Sequence, residues 1–119
     1  MSLVTILDVA AASPGAGATH PGIIQFDLDG LDAAGLRGPE DGLRPLKYEY
    51  CIPIGTEFRS EVAIIDPSAR FPTGSRGRIR CRSDQVLVLG NTHQPRFREI
   101  LETLAGLPYV ERIAECVFE

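Results

Sequence analysis

From Lys47 to Phe118 the spacing of large apolar side chains switches between a period of two and a period near that of a helix, which restricts the chain to a small set of folds. "KYEYCIPI", residues 47–54, puts Tyr48, Tyr50 and Ile52 on one face and Lys47, Glu49 and Cys51 on the other, as a strand does. Gly55 and Thr56 then offer a helix N-cap, and Phe58, Val62 and Ile65 follow at helical spacing. Pro67 stops that helix, because the residue before a proline is pushed out of the α region. After the loop "SARFPTGSRG", the stretch "RIRCR" alternates again, with Ile79 and Cys81 inward and Arg78, Arg80 and Arg82 outward. A short link at Ser83-Asp84 leads into "QVLVLG", an apolar run that suits a central strand, so the pair reads as a hairpin. Thr92 is the candidate cap of a second helix, whose stripe is Phe97, Ile100, Leu101 and Leu104. Gly106-Leu107-Pro108 ends it, and "YVERIAECVF" is the closing strand.

The order strand, helix, strand, strand, helix, strand over residues 47–119 resembles the ferredoxin-like superfold. The resemblance implies an α+β plait: an antiparallel sheet in spatial order 4-1-3-2 with both helices on one face. Residues 1–46 form an N-terminal, β-containing extension to this domain. In it "LVTILDVA" and "IIQFDLDG" look like strands, while "AASPGAGATHPG" and "GLRGPEDGLRP" are loops by composition.

A chain of 119 residues is the size of one domain with a modest core. No stretch approaches the ~20 apolar residues that span a bilayer, and the N-terminus lacks a basic region followed by an apolar one. The expectation is a cytoplasmic protein without a membrane partner. Cys51, Cys81 and Cys116 are odd in number and widely spaced, with no CxxC pair or His cluster. Neither a disulfide framework nor a zinc site is expected, and all three read as small buried thiols, with Cys51 structural rather than nucleophilic.

Asp27-Leu28-Asp29-Gly30, at the end of an apolar run, resembles the first motif of the haloacid dehalogenase superfamily. The resemblance implies a phosphatase in which Asp27 attacks phosphorus and Asp29 serves as acid and base. Such a site also needs a parallel doubly wound sheet with a Ser/Thr, a Lys and an acidic pair downstream. Here the downstream residues resolve into a smaller arrangement, and Leu31 follows Gly30, so the motif reads as an acidic turn ending a strand.

The plait topology would gather three features along one sheet edge: the loop Thr73 to Arg78, the segment Asn91 to Gln94 opening the second helix, and Lys47. A helix N-terminus offers unpaired N–H groups and partial positive charge, glycines let a backbone approach a ligand, and arginine adds a planar fork for carboxylate or phosphate. Ser75, Arg76, Gly77, Arg78, Asn91, Thr92 and His93 are therefore the candidate ligand-binding residues for a small anion. No catalytic residue, metal ligand or cofactor site is assigned, and His20 reads as an exposed polar residue. A rival reading is a small enzyme using His93 as acid or base on an anionic substrate.

The net charge of −4 argues against bulk nucleic-acid binding, although seven arginines and only one acid, Asp84, lie between Arg70 and Arg98. Arg78, Arg80 and Arg82 would form a basic row on the uncovered sheet face, where nucleic acid is one partner to consider. Single-strand readers with this superfold present aromatic rings there, and Glu49, Cys51 and aliphatics stand in their place. Glu111 and Glu115 would make the other edge acidic, a dipolar face suited to an antiparallel homodimer or a protein partner. That face depends on whether Ile113 and Val117, or Ala114 and Phe118, meet the helices. The reading as a whole is a small non-enzymatic binding or regulatory module.

Overall fold

The computed structural model describes residues 22–116. Its elements run β1 (Leu36–Arg37), β2 (Arg44–Pro45), β3 (Lys47–Pro53), α1 (Thr56–Ile65), β4 (Gln85–Asn91), α2 (Phe97–Ala105) and β5 (Ile113–Glu115). The fold is α+β, with two antiparallel sheets among the described residues: the ribbon β1-β2 and a three-stranded sheet in the order β4-β3-β5. The expected strand at 3–10, the loop before residue 22, His20, Val117 and Phe118 lie outside the described residues.

The two faces of β3 diverge as its alternation requires. Tyr48, Tyr50 and Ile52 are fully buried beneath the helices, with Val88 of β4 and Ile113 of β5 beside Tyr50. Against them pack Val62 of α1 and the stripe Phe97, Ile100, Leu101 and Leu104 of α2. Gly90 stands opposite Tyr48, and a Cβ there would lie 2.6 Å from its ring. The glycine that ends "QVLVLG" thus makes room for the tyrosine.

α1 ends as its proline dictates: Asp66 is extended at φ −120°, and its N–H closes on Val62 O at 2.8 Å. Gly55 takes the N-cap position without a side-chain bond, so Thr56 is already helical.

The second half of the sheet departs from expectation. "RIRCR" is not a strand; Gly77 and Arg80 both have positive φ, and Arg80 N–H turns back to Gly77 O. The outer edge of β4 is met instead at a single bridge, where Arg70 and Leu89 exchange both backbone bonds. The four-stranded order 4-1-3-2 therefore gives way to three strands and one bridge. The cause lies in Cys81, which is disulfide-bonded to Cys51 with the Cα atoms 5.5 Å apart. This bond draws residues 76–82 across the face of the sheet rather than along its edge. There Ile79, Cys81 and Leu87 form a second small core with Cys51, Leu89 and Ala114.

The expectation of three free thiols is corrected: only Cys116 is free among the described residues. Closing a loop of 30 residues is worth about 3–4 kcal/mol in the chain-entropy account.

With this loop over the sheet face, Arg78, Arg80 and Arg82 do not form the expected strand row on an open face. Ile113 faces the helices and Ala114 the loop. Glu111 pairs with Arg82 at 3.3 Å and Glu115 with Arg37, so both carboxylates are engaged within the chain. "YVERIAECVF" contributes only Ile113–Glu115 as strand among the described residues.

Residues 22–46 join the same core through Leu31 and Leu46. Rather than a strand, "IIQFDLDG" gives one parallel bridge, Ile24 with Ile113, followed by a single 3-10 turn at Leu28–Gly30. Asp27 caps that turn by accepting from Asp29 N–H at 2.9 Å, and Asp29 faces Arg98 at 3.5 Å. The DLDG stretch is an acidic turn, but it does not end a strand. No helix among the described residues is long and apolar enough to cross a membrane.

Candidate functional site

At one rim of the sheet β3 begins and β4 ends, with Lys47 opposite Asn91, and Cys116 donates its N–H to Lys47 O at 2.7 Å. A hollow of about 270 Å³ opens there, and its walls include Lys47, Ser68, Arg70, Asn91 and Cys116. A second hollow of about 360 Å³ lies on the loop-covered side, bounded by Glu49, Ser75, Gly77 and Arg78. Leu89 and Cys116 belong to both, so the two hollows adjoin.

Behind the first hollow stands a buried carboxylate. Asp66 Oδ2 accepts from Tyr48 OH at 2.8 Å and Tyr50 OH at 3.2 Å. Its Oδ1 accepts from Ser68 N–H at 3.0 Å, Ser68 Oγ at 2.7 Å and Gln94 Nε2 at 3.2 Å. Ser68 Oγ in turn accepts from Asn91 N–H at 3.1 Å, so the same network sets the position of the hollow's hydroxyl.

Burial, and then the charge of Asp66, hold the Tyr48 and Tyr50 phenols protonated far above their ordinary range. Tyrosines in the unfolded chain ionise near about pH 10, so above that pH the unfolded state binds fewer protons than the folded one. Stability is then full below about pH 10 and falls as pH rises, by up to about 1.4 kcal/mol per unit for each tyrosine. The urea midpoint should drop steeply in that alkaline range, with phenolate absorbance appearing only as the chain unfolds. Phenolate absorbance from all three tyrosines in a still-folded chain would contradict this account.

The Cys116 thiol is pushed up by burial and by Glu49, with Lys47 and Arg78 acting in the opposite sense. It stays a thiol at neutral pH and is a poor nucleophile.

Of the residues expected to bind a ligand, Ser75, Gly77 and Arg78 line the second hollow, and Asn91 and Lys47 the first. Arg76, Thr92 and His93 line neither. Thr92 is no helix cap: α2 begins at Phe97 after Arg96 in the left-handed region, and Pro95 keeps Gln94 out of the helix. Thr92 is instead fully buried, its Oγ1 donating to Gly35 O at 2.5 Å and accepting from Leu46 N–H at 2.9 Å. His93 is exposed with Nδ1 at 3.0 Å from Ala34 O, which leaves the proposed acid or base away from both hollows. The helix N-terminus therefore does not form the site.

Arg80 and Arg82 border a separate 80 Å³ crevice with Glu111 and Arg112. Glu49, Ser68, Arg70 and Cys116 are polar or titratable lining residues that pattern reasoning did not place at a site. Asp66-Pro67-Ser68 carried a usable signal, since an Asp and a Ser at a helix stop can turn their oxygens inward as readily as outward.

Comparison with known proteins gives no matching family, no matching curated protein and no matching solved structure.

Proposed function

We propose that this protein is a non-enzymatic binding or regulatory module that takes a small anion in the adjoining hollows at the sheet rim. The observation that carries the reading is that Lys47, Arg70 and Arg78 stand on the walls of two hollows joined through Leu89 and Cys116. Hydroxyls of Ser68 and Ser75 stand beside them, and guanidinium groups suit carboxylate and phosphate oxygens. We read the fold as a plait of the ferredoxin-like kind whose outer strand is reduced to the Arg70 bridge. The order β5-β3-β4 supports this, being the 4-1-3 part of the plait, with residues before 47 as an added segment.

Calorimetry with inorganic phosphate and with succinate tests the function. Each charge-assisted hydrogen bond contributes about 1.5–3 kcal/mol, so the double variant Arg70→Ala, Arg78→Ala should weaken anion binding by about a hundredfold or more. The double variant Arg76→Ala, Arg96→Ala should bind as the parent does. Absence of anion binding by the parent, or equal binding by both double variants, would remove the site.

A further inference from the structure

Glu49 sits at the centre of β3, flanked across the sheet by Leu89 and Ala114, and is 1% exposed. Its Oε1 is buried and has no hydrogen-bond partner among the described residues. The side-chain oxygens of Asp66 and Thr92, the other buried polar residues of the described chain, all have hydrogen-bond partners. An unsatisfied buried acceptor is destabilising, the more so if charged, and an apolar residue among these neighbours would avoid that cost.

The same carboxylate belongs to a residue that lines the 360 Å³ hollow together with Arg78 and Ser75. It is roofed by Gly77, whose φ is +67°; a Cβ there would lie 2.4 Å from Oε1 and 2.7 Å from Leu87 Cδ1. A glycine at this point keeps the roof over the carboxylate thin.

Resting on the anion-binding reading above, we infer that the ligand also carries a protonated amine, which donates to Glu49 while its carboxylate or phosphate faces Arg78 and Arg70. The ligand class is thus a small zwitterion of the amino-acid kind. A charged carboxylate selects for N–H donors of positive charge, and the arginines select for the anionic end, so each end of the ligand meets its complement.

The test is calorimetry on the intact chain with pairs matched except for the amine: glycine and acetate, glutamate and glutarate, phosphoethanolamine and ethyl phosphate. The expected result is at least a tenfold preference for the amine-bearing member of at least one pair. Glu49→Gln, which keeps the shape but not the charge, should erase that preference and leave the weak binding of the plain anion. Equal affinity within every pair would overturn the inference and leave the anion site standing. Binding of methylamine that needs Glu49, with no anion bound by any variant, would remove the anion reading and retain the role of Glu49. No binding by any member of the panel would overturn both. The preference is read on the parent protein, so the test stands even if Glu49→Gln fails to fold.

Discussion

Asp66→Ala should destabilise the folded chain by about 3–5 kcal/mol in urea unfolding, with the m-value unchanged. The carboxylate is 1% exposed and accepts from five donors: two phenols, the Ser68 amide and hydroxyl, and the Gln94 amide. Removing it leaves those donors buried, and only some can re-pair with one another. A domain of this size has about 5–15 kcal/mol of stability in total, so the loss is a large share of it. Asp66→Asn should rescue less than half. An NH₂ turned toward Ser68 and Gln94 meets the Ser68 N–H and the Gln94 amide as donors. One turned toward the phenols requires their hydroxyls to reverse from donating to accepting and give up their bonds to the carboxylate. A loss below about 1 kcal/mol for Asp66→Ala would mean that the network is not a structural centre.

Gly35→Ala should cost about as much by a different route. Gly35 has φ +77°, and a Cβ there would stand 1.8 Å from Thr92 O and 2.6 Å from Thr92 C. A non-glycine residue in this region costs about 1–2 kcal/mol by itself. The overlap is with backbone, which forces segments 32–36 and 91–94 apart and breaks the bond from Thr92 Oγ1 to Gly35 O. Overpacking of about 1–3 kcal/mol and the lost bond bring the total to about 3–5 kcal/mol. Gly74→Ala separates the two contributions, because Gly74 has a similar φ of +78° and no atom of the described residues within 4 Å of a Cβ. Its cost should stay near the conformational 1–2 kcal/mol. Equal costs at the two glycines in thermal or urea unfolding would show that the approach of Gly35 to Thr92 is not tight.

Features encoded by local periodicity were legible in the sequence. β3, α1 with its proline stop, β4 and the buried stripe of α2 each follow from spacing within a dozen residues. What escaped was decided by partners distant in sequence. "RIRCR" alternates equally well as an edge strand or as a covering loop, and the choice rests on Cys81 reaching Cys51, which no spacing rule reveals. Thr92 has the chemistry of a cap, but its hydroxyl is engaged 57 residues away at Gly35. Pro95 was the overlooked local sign that the helix starts later.

The candidate site divides in the same way. Lys47, Ser75, Gly77, Arg78 and Asn91 line the adjoining hollows because strand register and the glycine turn set their places. Arg76, Thr92 and His93 do not, because their inclusion depended on a helix tip that lies elsewhere. Glu49 was visible as an outward strand residue, but its burial became apparent only once the disulfide had folded the loop over it.

The central claim is that the rim hollows receive a small anion, and amide chemical-shift mapping during titration with inorganic phosphate tests it most directly. The account predicts saturable shifts concentrated at Lys47, Arg70, Gly77, Arg78, Gly90, Asn91 and Cys116. Shifts gathered at the start of α2 or around Arg80, Arg82 and Arg112, or no saturable shift at all, would contradict it.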